Sequence, residues 1–187
     1  MGDQKRWFMF MKWRHGQGFT LVELMVTIAL LAFLLLIAYP GFVTMLANLR
    51  VRAVADGVLS GLQYARGEAL KRNVDVTFRF IPASGVGGGW QVLLPDATVI
   101  QQKSAAEGGA VEAMMAGGNV DIVFDNLGRR SQPAAPPAVL NIDITNPAVG
   151  ACESAGGSIR CLRITVALGG EVRLCDPQRP AGDPQAC

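Results

Sequence analysis

The sequence predicts an α+β fold: a long N-terminal membrane-spanning helix whose second half packs on an antiparallel β-sheet head. Three observations carry this. Leu24 to Leu49 is a run of 26 residues without a charge. An amphipathic helical stripe follows directly. After residue 73 the pattern changes to period-two alternation broken by glycine and proline. The chain has 187 residues, of which 50% are hydrophobic and 17% charged, and its mean hydropathy is positive. That composition excludes disorder as the overall class, and the length suits one domain with an appendage rather than two domains.

Residues 1–18 hold Lys5, Arg6, Lys12 and Arg14 against Asp3, a net of +3, and they hold His15, the one histidine. The remaining chain has 13 basic and 14 acidic side chains. At about 1.5 Å per residue, the uncharged run exceeds the roughly 20 residues that cross a hydrocarbon core. Basic residues before it keep the N-terminus cytoplasmic and send the rest outward. A secretory signal peptide fits less well, because the apolar run is too long and no small-x-small cleavage site follows. A plain anchor leaves Glu23 unexplained. An ionisable group at that depth costs about 2–3 kcal/mol and calls for a partner.

Val51, Val54, Val58, Leu62, Ala65 and Ala69 step by three and four, which makes one helical face. The pattern ends at Arg72-Asn73, so one helix is expected over 19–72. Gly57, Gly61 and Gly67 weaken it; Gly57 and Gly61 fit either a close approach by a sheet or plain surface positions. Alternation predicts strands at 74–81, 90–94, 98–102, 120–124, 139–145, 162–168 and 171–175. Gly169-Gly170 reads as a tight hairpin. Pro82 to Gly89 reads as a mobile hairpin loop, since no Gly-Lys-Ser/Thr follows to make a phosphate cradle. Asp125 to Arg129 reads as a turn and Ser131 to Ala138 as a proline bend. These strands form a single sheet laid on the helical stripe.

Nothing in the sequence marks an enzyme. The serines have no histidine to activate them once the leader is set aside, and Asp121 and Asp125 sit at a strand end as turn-capping residues. No catalytic residue, metal ligand set or cofactor is assigned. The four cysteines, Cys152, Cys161, Cys175 and Cys187, lie in the last 36 residues without Cys-x-x-Cys spacing. In an oxidising compartment they pair as disulfides in one of three ways. Cys152–Cys161 with Cys175–Cys187 is the locally simplest, each loop contributing about 3 kcal/mol.

Gly18-Phe19-Thr20-Leu21-Val22-Glu23 behind a basic leader resembles the type III signal of type IV prepilins and type II secretion pseudopilins. The resemblance implies a pilin-like fold, cleavage after Gly18 by prepilin peptidase, and N-methylation of Phe19. It implies that Glu23 neutralises the terminal amine of a neighbouring subunit, and that Pro40 stands where many pilins kink the helix. The domains are then leader 1–18, filament-core helix 19–48 and head 49–187. The tail, Leu162-Arg-Ile-Thr-Val-Ala-Leu-Gly-Gly-Glu-Val-Arg-Leu-Cys-Asp-Pro177 with Asp183-Pro-Gln-Ala-Cys187, resembles the ending of the GspH/FimT family.

That family implies a minor pilin or pseudopilin near a filament tip that helps initiate assembly. Its partners would be other minor and major pilins or pseudopilins, prepilin peptidase, and the inner membrane of a Gram-negative bacterium before assembly. The alternative is a DNA-uptake binding module, with Arg160, Arg163, Arg173 and Arg179 as candidate contacts. DNA-binding members carry Gly-Arg-x-Arg in the last hairpin, where this chain has Gly170-Glu171-Val172-Arg173. Residues 74–187 hold eight basic and eleven acidic side chains, and Glu153, Glu171, Asp176 and Asp183 are interleaved with the four arginines. With a Debye length of about 8 Å at physiological salt, these acids largely cancel the local field and disfavour nucleic acid.

Overall fold

The computed structural model describes residues 18–133 and 138–187. One helix, α1, runs Leu21–Arg72. It is followed by β1 (Val76–Phe80), β2 (Trp90–Leu93), β3 (Val99–Lys103), β4 (Glu112–Met115), β5 (Ile122–Phe124), β6 (Arg130–Gln132), β7 (Val139–Thr145), β8 (Leu162–Ala167) and β9 (Val172–Cys175). The chain divides into two compact units between Tyr39 and Pro40. The basic residues of the leader and His15 lie outside the described residues.

α1 stops where Asn73 takes a left-handed conformation with φ of 56°, a geometry asparagine tolerates just past a helix end. Every residue of the stripe Val51, Val54, Val58, Leu62, Ala65 and Ala69 is buried, and Ala47, Ala55 and Gly61 join it. Glu68 is buried beside it, its carboxylate accepting from Arg72 at 2.5 Å and from Lys71 at 3.5 Å. The Arg72 hydrogen bond holds the Glu68 carboxyl below its ordinary pKa, against the opposing effect of burial.

Two sheets, not one, meet this face. The first has the order β3-β2-β1-β5-β6 and the second β4-β7-β8-β9, all pairs antiparallel. Val76, Phe78, Phe80, Trp90, Val92, Ile122 and Phe124 line the inner face of the first sheet. Ala113, Met115, Leu140, Ile142, Ile144, Leu162, Ile164 and Val166 line that of the second, and both belong to one core with the helix. The expected strands appear within two residues of their predicted ends. β4 and β6 were not expected: Glu-Ala-Met-Met lacks β-branched residues, and Arg-Ser-Gln is three residues long, so neither shows alternation. β6 also shortens the proline bend foreseen at Ser131 to Ala138, part of which lies outside the described residues.

The segment Pro82 to Gly89 is not the mobile loop its glycines predict. Ala113 N–H donates to Gly85 O (3.0 Å), Gly87 N–H donates to Val111 O (2.7 Å), and Val86 bridges Glu112. Gly85 has φ of 75° and its backbone lies against the Ala113 carbonyl, so glycine is required by conformation and by space. The loop thereby lines the outer side of β4.

Gly61 is the closest approach between helix and sheet. A Cβ there would stand 2.7 Å from Trp90 Cε2, 2.8 Å from Trp90 Cζ2 and 2.9 Å from Phe78 Cε2. Gly67 is exposed, with nothing within 4 Å of an added Cβ. Alanine gains about 1 kcal/mol over glycine in a helix interior, whereas overpacking a core costs about 1–3 kcal/mol. Gly67→Ala is therefore expected to raise the melting temperature of the detergent-solubilised chain by a few degrees and Gly61→Ala to lower it. Equal shifts in a pair of thermal scans would refute the close-approach role of Gly61.

Candidate functional site

Two regions hold the residues singled out in the sequence. The first is the start of α1. Gly18, Phe19 and Thr20 precede the helix, and the Phe19 ring is 82% exposed. The Glu23 N–H donates to Thr20 Oγ1 at 3.1 Å, so Thr20 caps the first turn. The signal for this was present and overlooked: Thr20-Leu21-Val22-Glu23 has the Ser/Thr-x-x-Glu spacing of a capping box. The Glu23 carboxylate itself has no ion-pair or hydrogen-bond partner among the described residues. Large apolar side chains from Leu21 to Leu49 stay exposed, and α1 is long and apolar enough to cross a membrane. Pro40 lies within the helix, and one turn later the Thr44 hydroxyl donates to Gly41 O at 2.9 Å.

The second region is the tail of the head. Cys152 is bonded to Cys161 and Cys175 to Cys187, with Cα separations of 5.4 and 5.1 Å. The first disulfide closes a loop that is tied to the helix, since Arg160 N–H donates to Asn48 Oδ1 at 2.9 Å. The second holds the C-terminal residues against β9, where Asp176 N–H donates to Gln185 O at 2.7 Å.

All four candidate DNA-contact arginines meet an acid. Arg160 donates to Asp176 Oδ2 at 2.7 Å, and Arg179 stands 3.8 Å from the same oxygen and 3.1 Å from Asp183. Asp176 is buried, so it serves as a shared anchor beneath two partly exposed guanidinium groups. Arg173 lies 3.8 Å from Glu171 on the outer face of the second sheet. Asp176, Asp183 and Glu171 were foreseen as neighbours of these arginines; Glu153, also foreseen, makes no ion pair among the described residues. The partner of Arg163 was not foreseen. It is Asp143 of β7, directly opposite in the strand register, at 2.6 and 3.1 Å. That forked pair raises the Arg163 pKa above its ordinary value, although burial opposes it. Cross-strand partners need the register, which the sequence alone does not supply.

Among the described residues no three His, Cys, Asp or Glu side chains are placed to hold a metal ion. Asp125 closes the expected turn, its Oδ1 accepting from Leu127 N–H and Arg129 N–H at 2.9 and 2.8 Å. Asp121, the residue before β5, forks onto Arg79 of the neighbouring β1 at 2.8 and 2.5 Å. That pairing holds the Arg79 pKa above its ordinary value. Both acids are therefore committed to structure.

A long apolar helix followed by a disulfide-stapled antiparallel head, with each tail arginine facing a carboxylate, is the architecture of a pilin fold. Residues 54–170 match the family model described as type II transport protein GspH, and residues 13–39 match the prokaryotic N-terminal methylation motif. The chain belongs to that GspH family of minor pilins and pseudopilins, which are structural subunits of type IV pili or type II secretion systems. Two crystal structures of the Pseudomonas aeruginosa (strain PAO1) type IV minor pilin FimU share the fold. One has a TM-score of 0.53 at 18% identity, covering 73% of this chain and 94% of that one. The other has a TM-score of 0.51 at 19% identity, with 73% and 98% covered. No curated protein sequence matches the chain.

Asp176→Asn keeps the shape of the anchor but removes its charge. Charge-assisted hydrogen bonds contribute about 1.5–3 kcal/mol each, less where the partner is half exposed. A loss of roughly 2 kcal/mol in denaturant unfolding is expected, with the two disulfides still formed on non-reducing peptide mapping. An unchanged unfolding midpoint would remove Asp176 from this role.

Proposed function

We propose that this chain is a low-abundance subunit that assembles near the tip of a type IV pilus or secretion pseudopilus and helps initiate the filament. The observation that carries the reading is the Glu23 carboxylate, which has no partner among the described residues and stands at the start of an exposed apolar helix. A charge in that setting is stabilised when another chain supplies the opposite one. The terminal amine of a neighbour's Phe19, created by cleavage after Gly18, is that charge. The head outside the membrane then presents surfaces rather than chemistry, consistent with a role in ordering neighbouring subunits. Before assembly the chain would sit in the inner membrane of a Gram-negative cell, with prepilin peptidase acting on it there.

The experiment uses the membrane-purified chain and sheared filaments. Intact mass should lack residues 1–18 and carry one added methyl group on Phe19. Glu23→Leu should insert normally, because it makes the helix more apolar, and should be strongly depleted from filaments. Normal recovery of the variant in filaments, or a cut elsewhere, defeats the reading.

DNA binding is the weaker reading, because each of the four arginines near the tail already faces a carboxylate. Phosphate contacts draw affinity from unpaired clustered cations. The head, residues 48–187, is expected to bind duplex DNA weakly or not at all at physiological salt. Glu171→Arg should strengthen binding and steepen its salt dependence, because it frees Arg173 and adds a cation. Tight, salt-sensitive binding by the unaltered head in a fluorescence titration would put DNA uptake first.

A further inference from the structure

A cleft of about 490 Å³ opens between the turns of α1 that follow Pro40 and the chain entering β8. Met45, Leu49 and Leu162 line it with apolar surface, and Asn48, Arg52 and Arg160 line it with polar groups. Among the described residues no acidic side chain lines it. Its polar groups are donors left over from other bonds. Arg160 meets Asp176 Oδ2 with Nε and Nη2, each at 2.7 Å, and its Nη1 has no partner among the described residues. Arg52 touches Asp56 through Nε alone, at 3.4 Å in an exposed pair, so both of its Nη groups stay open. Asn48 accepts the Arg160 N–H on Oδ1 at 2.9 Å, and its Nδ2 has no partner among the described residues. A guanidinium group donates and never accepts, so a cleft built this way fits an anion with several oxygens. The smaller cleft of about 310 Å³ beside Arg160 and Arg179 differs, because Glu153 and Asp176 line it as well.

The place of the cleft in the chain points to which anion. Met45, Asn48 and Leu49 are among the last residues of the uncharged run that begins at Leu24, and Arg50 and Arg52 are the first charges after it. Roughly 20 residues fill a hydrocarbon core, and counted from Leu24 they end near Val43. The cleft residues of α1 follow directly, where headgroups replace acyl chains. Phe42, Met45, Leu46 and Leu49 are exposed on the same turns, a surface suited to lipid tails rather than to water. Arginine at such a boundary lays its stem on apolar surface and its charge among phosphates. A zwitterionic headgroup fits less well, because its cation finds no acid in the cleft.

We infer that the cleft at Asn48, Arg52 and Arg160 binds the headgroup phosphate of an anionic phospholipid, with an acyl chain along Met45, Leu49 and Leu162. One headgroup needs a few donors at one spot, whereas a duplex needs a row of unneutralised cations, so the site does not revive DNA binding. The inference rests on the anchoring of the chain in a membrane. It is independent of Glu23 and of entry into a filament, and it is tested without either.

The test uses the full chain in detergent micelles. Dioleoylphosphatidylglycerol and dioleoylphosphatidylcholine are titrated in separately, and bound lipid is counted by native mass spectrometry. Phosphatidylglycerol should bind about five- to tenfold more tightly. Arg52→Gln should weaken phosphatidylglycerol by about the same factor and leave phosphatidylcholine unchanged. Arg50→Gln removes the same charge outside the cleft and should change neither lipid by more than about twofold. The basic leader is identical in both variants, so only a site at Arg52 separates them. Should Arg52→Gln misfold by circular dichroism, Asn48→Asp decides instead. It keeps the acceptor for the Arg160 N–H, puts an acid in the cleft, and should weaken phosphatidylglycerol at least as much. Millimolar glycerol 3-phosphate should not displace the lipid, and displacement would make this a site for free phosphate and overturn the inference. Equal binding of the two lipids, equal loss in the two arginine variants, or unchanged binding in Arg52→Gln also overturns it. So does light scattering that shows, in lipid-free micelles, a dimer dissolved by Arg52→Gln, which gives the cleft to a second copy.

Discussion

The head depends on how closely two sheets can approach one helix. The buried face of α1 is made largely of Ala47, Val51, Val54, Ala55, Val58, Gly61, Leu62, Ala65 and Ala69, few of which are large. Small residues let the sheets come near, and the bulk is supplied from the other side by Phe78, Phe124, Ile122, Ile142, Ile144 and Ile164, all fully buried. Each such side chain contributes about 1.5–3 kcal/mol on leaving water, so the helix serves as a narrow spine that the sheets enclose. Gly61 is the limiting case, where a ring from each of two strands occupies the space a methyl group would need. The same helix carries large Leu, Ile and Phe residues before Pro40, where no sheet covers them and their bulk suits lipid or a neighbouring helix.

Polar groups on the head are resolved locally. The pairs Arg79–Asp121 and Arg163–Asp143 are forks across adjacent strands, and Asp176 gathers Arg160 and Arg179 from separate segments. Pairs of this kind fix register and loop position more than they add stability, since most are partly solvated. They also lower the field a distant polyanion would sense. The two disulfides act on the same segments as Asp176, so the loop 152–161 and the tail are each held twice. Redundant fastening suits a surface that must keep its shape while pressed against other chains.

Most of the architecture could be read in the sequence because it rests on periodicity. The stripe from Val51 to Ala69, the strands β1, β7 and β8, and the Gly169-Gly170 hairpin are all local patterns. What could not be read depends on register or on backbone pairing between distant segments. β4 has little β propensity, and it exists because Gly85, Asn119 and β7 satisfy its backbone from both sides. The one expected sheet is two because none of β7, β8 and β9 pairs with a strand of the first sheet. Asp143 could be matched to Arg163 only once β7 and β8 were aligned. At the start of α1 the N-terminal methylation motif was legible in the sequence, and the overlooked element was the Thr20 cap, whose spacing was plain but whose meaning was masked by that motif.

The cap bears on the Glu23 carboxylate, which has no partner among the described residues. A carboxylate in the first turn of a helix gains from the unpaired N–H groups there, usually by reaching back to the capping residue. Here Thr20 Oγ1 already satisfies the Glu23 N–H, and the Glu23 carboxylate makes no return bond. Among the described residues the Glu23 N–H at the helix start is thus held by the Thr20 hydroxyl, without a return bond from the carboxylate. Had Glu23 closed a full capping box, its charge would be partly spent within the chain and less would be gained on meeting a neighbour's amine.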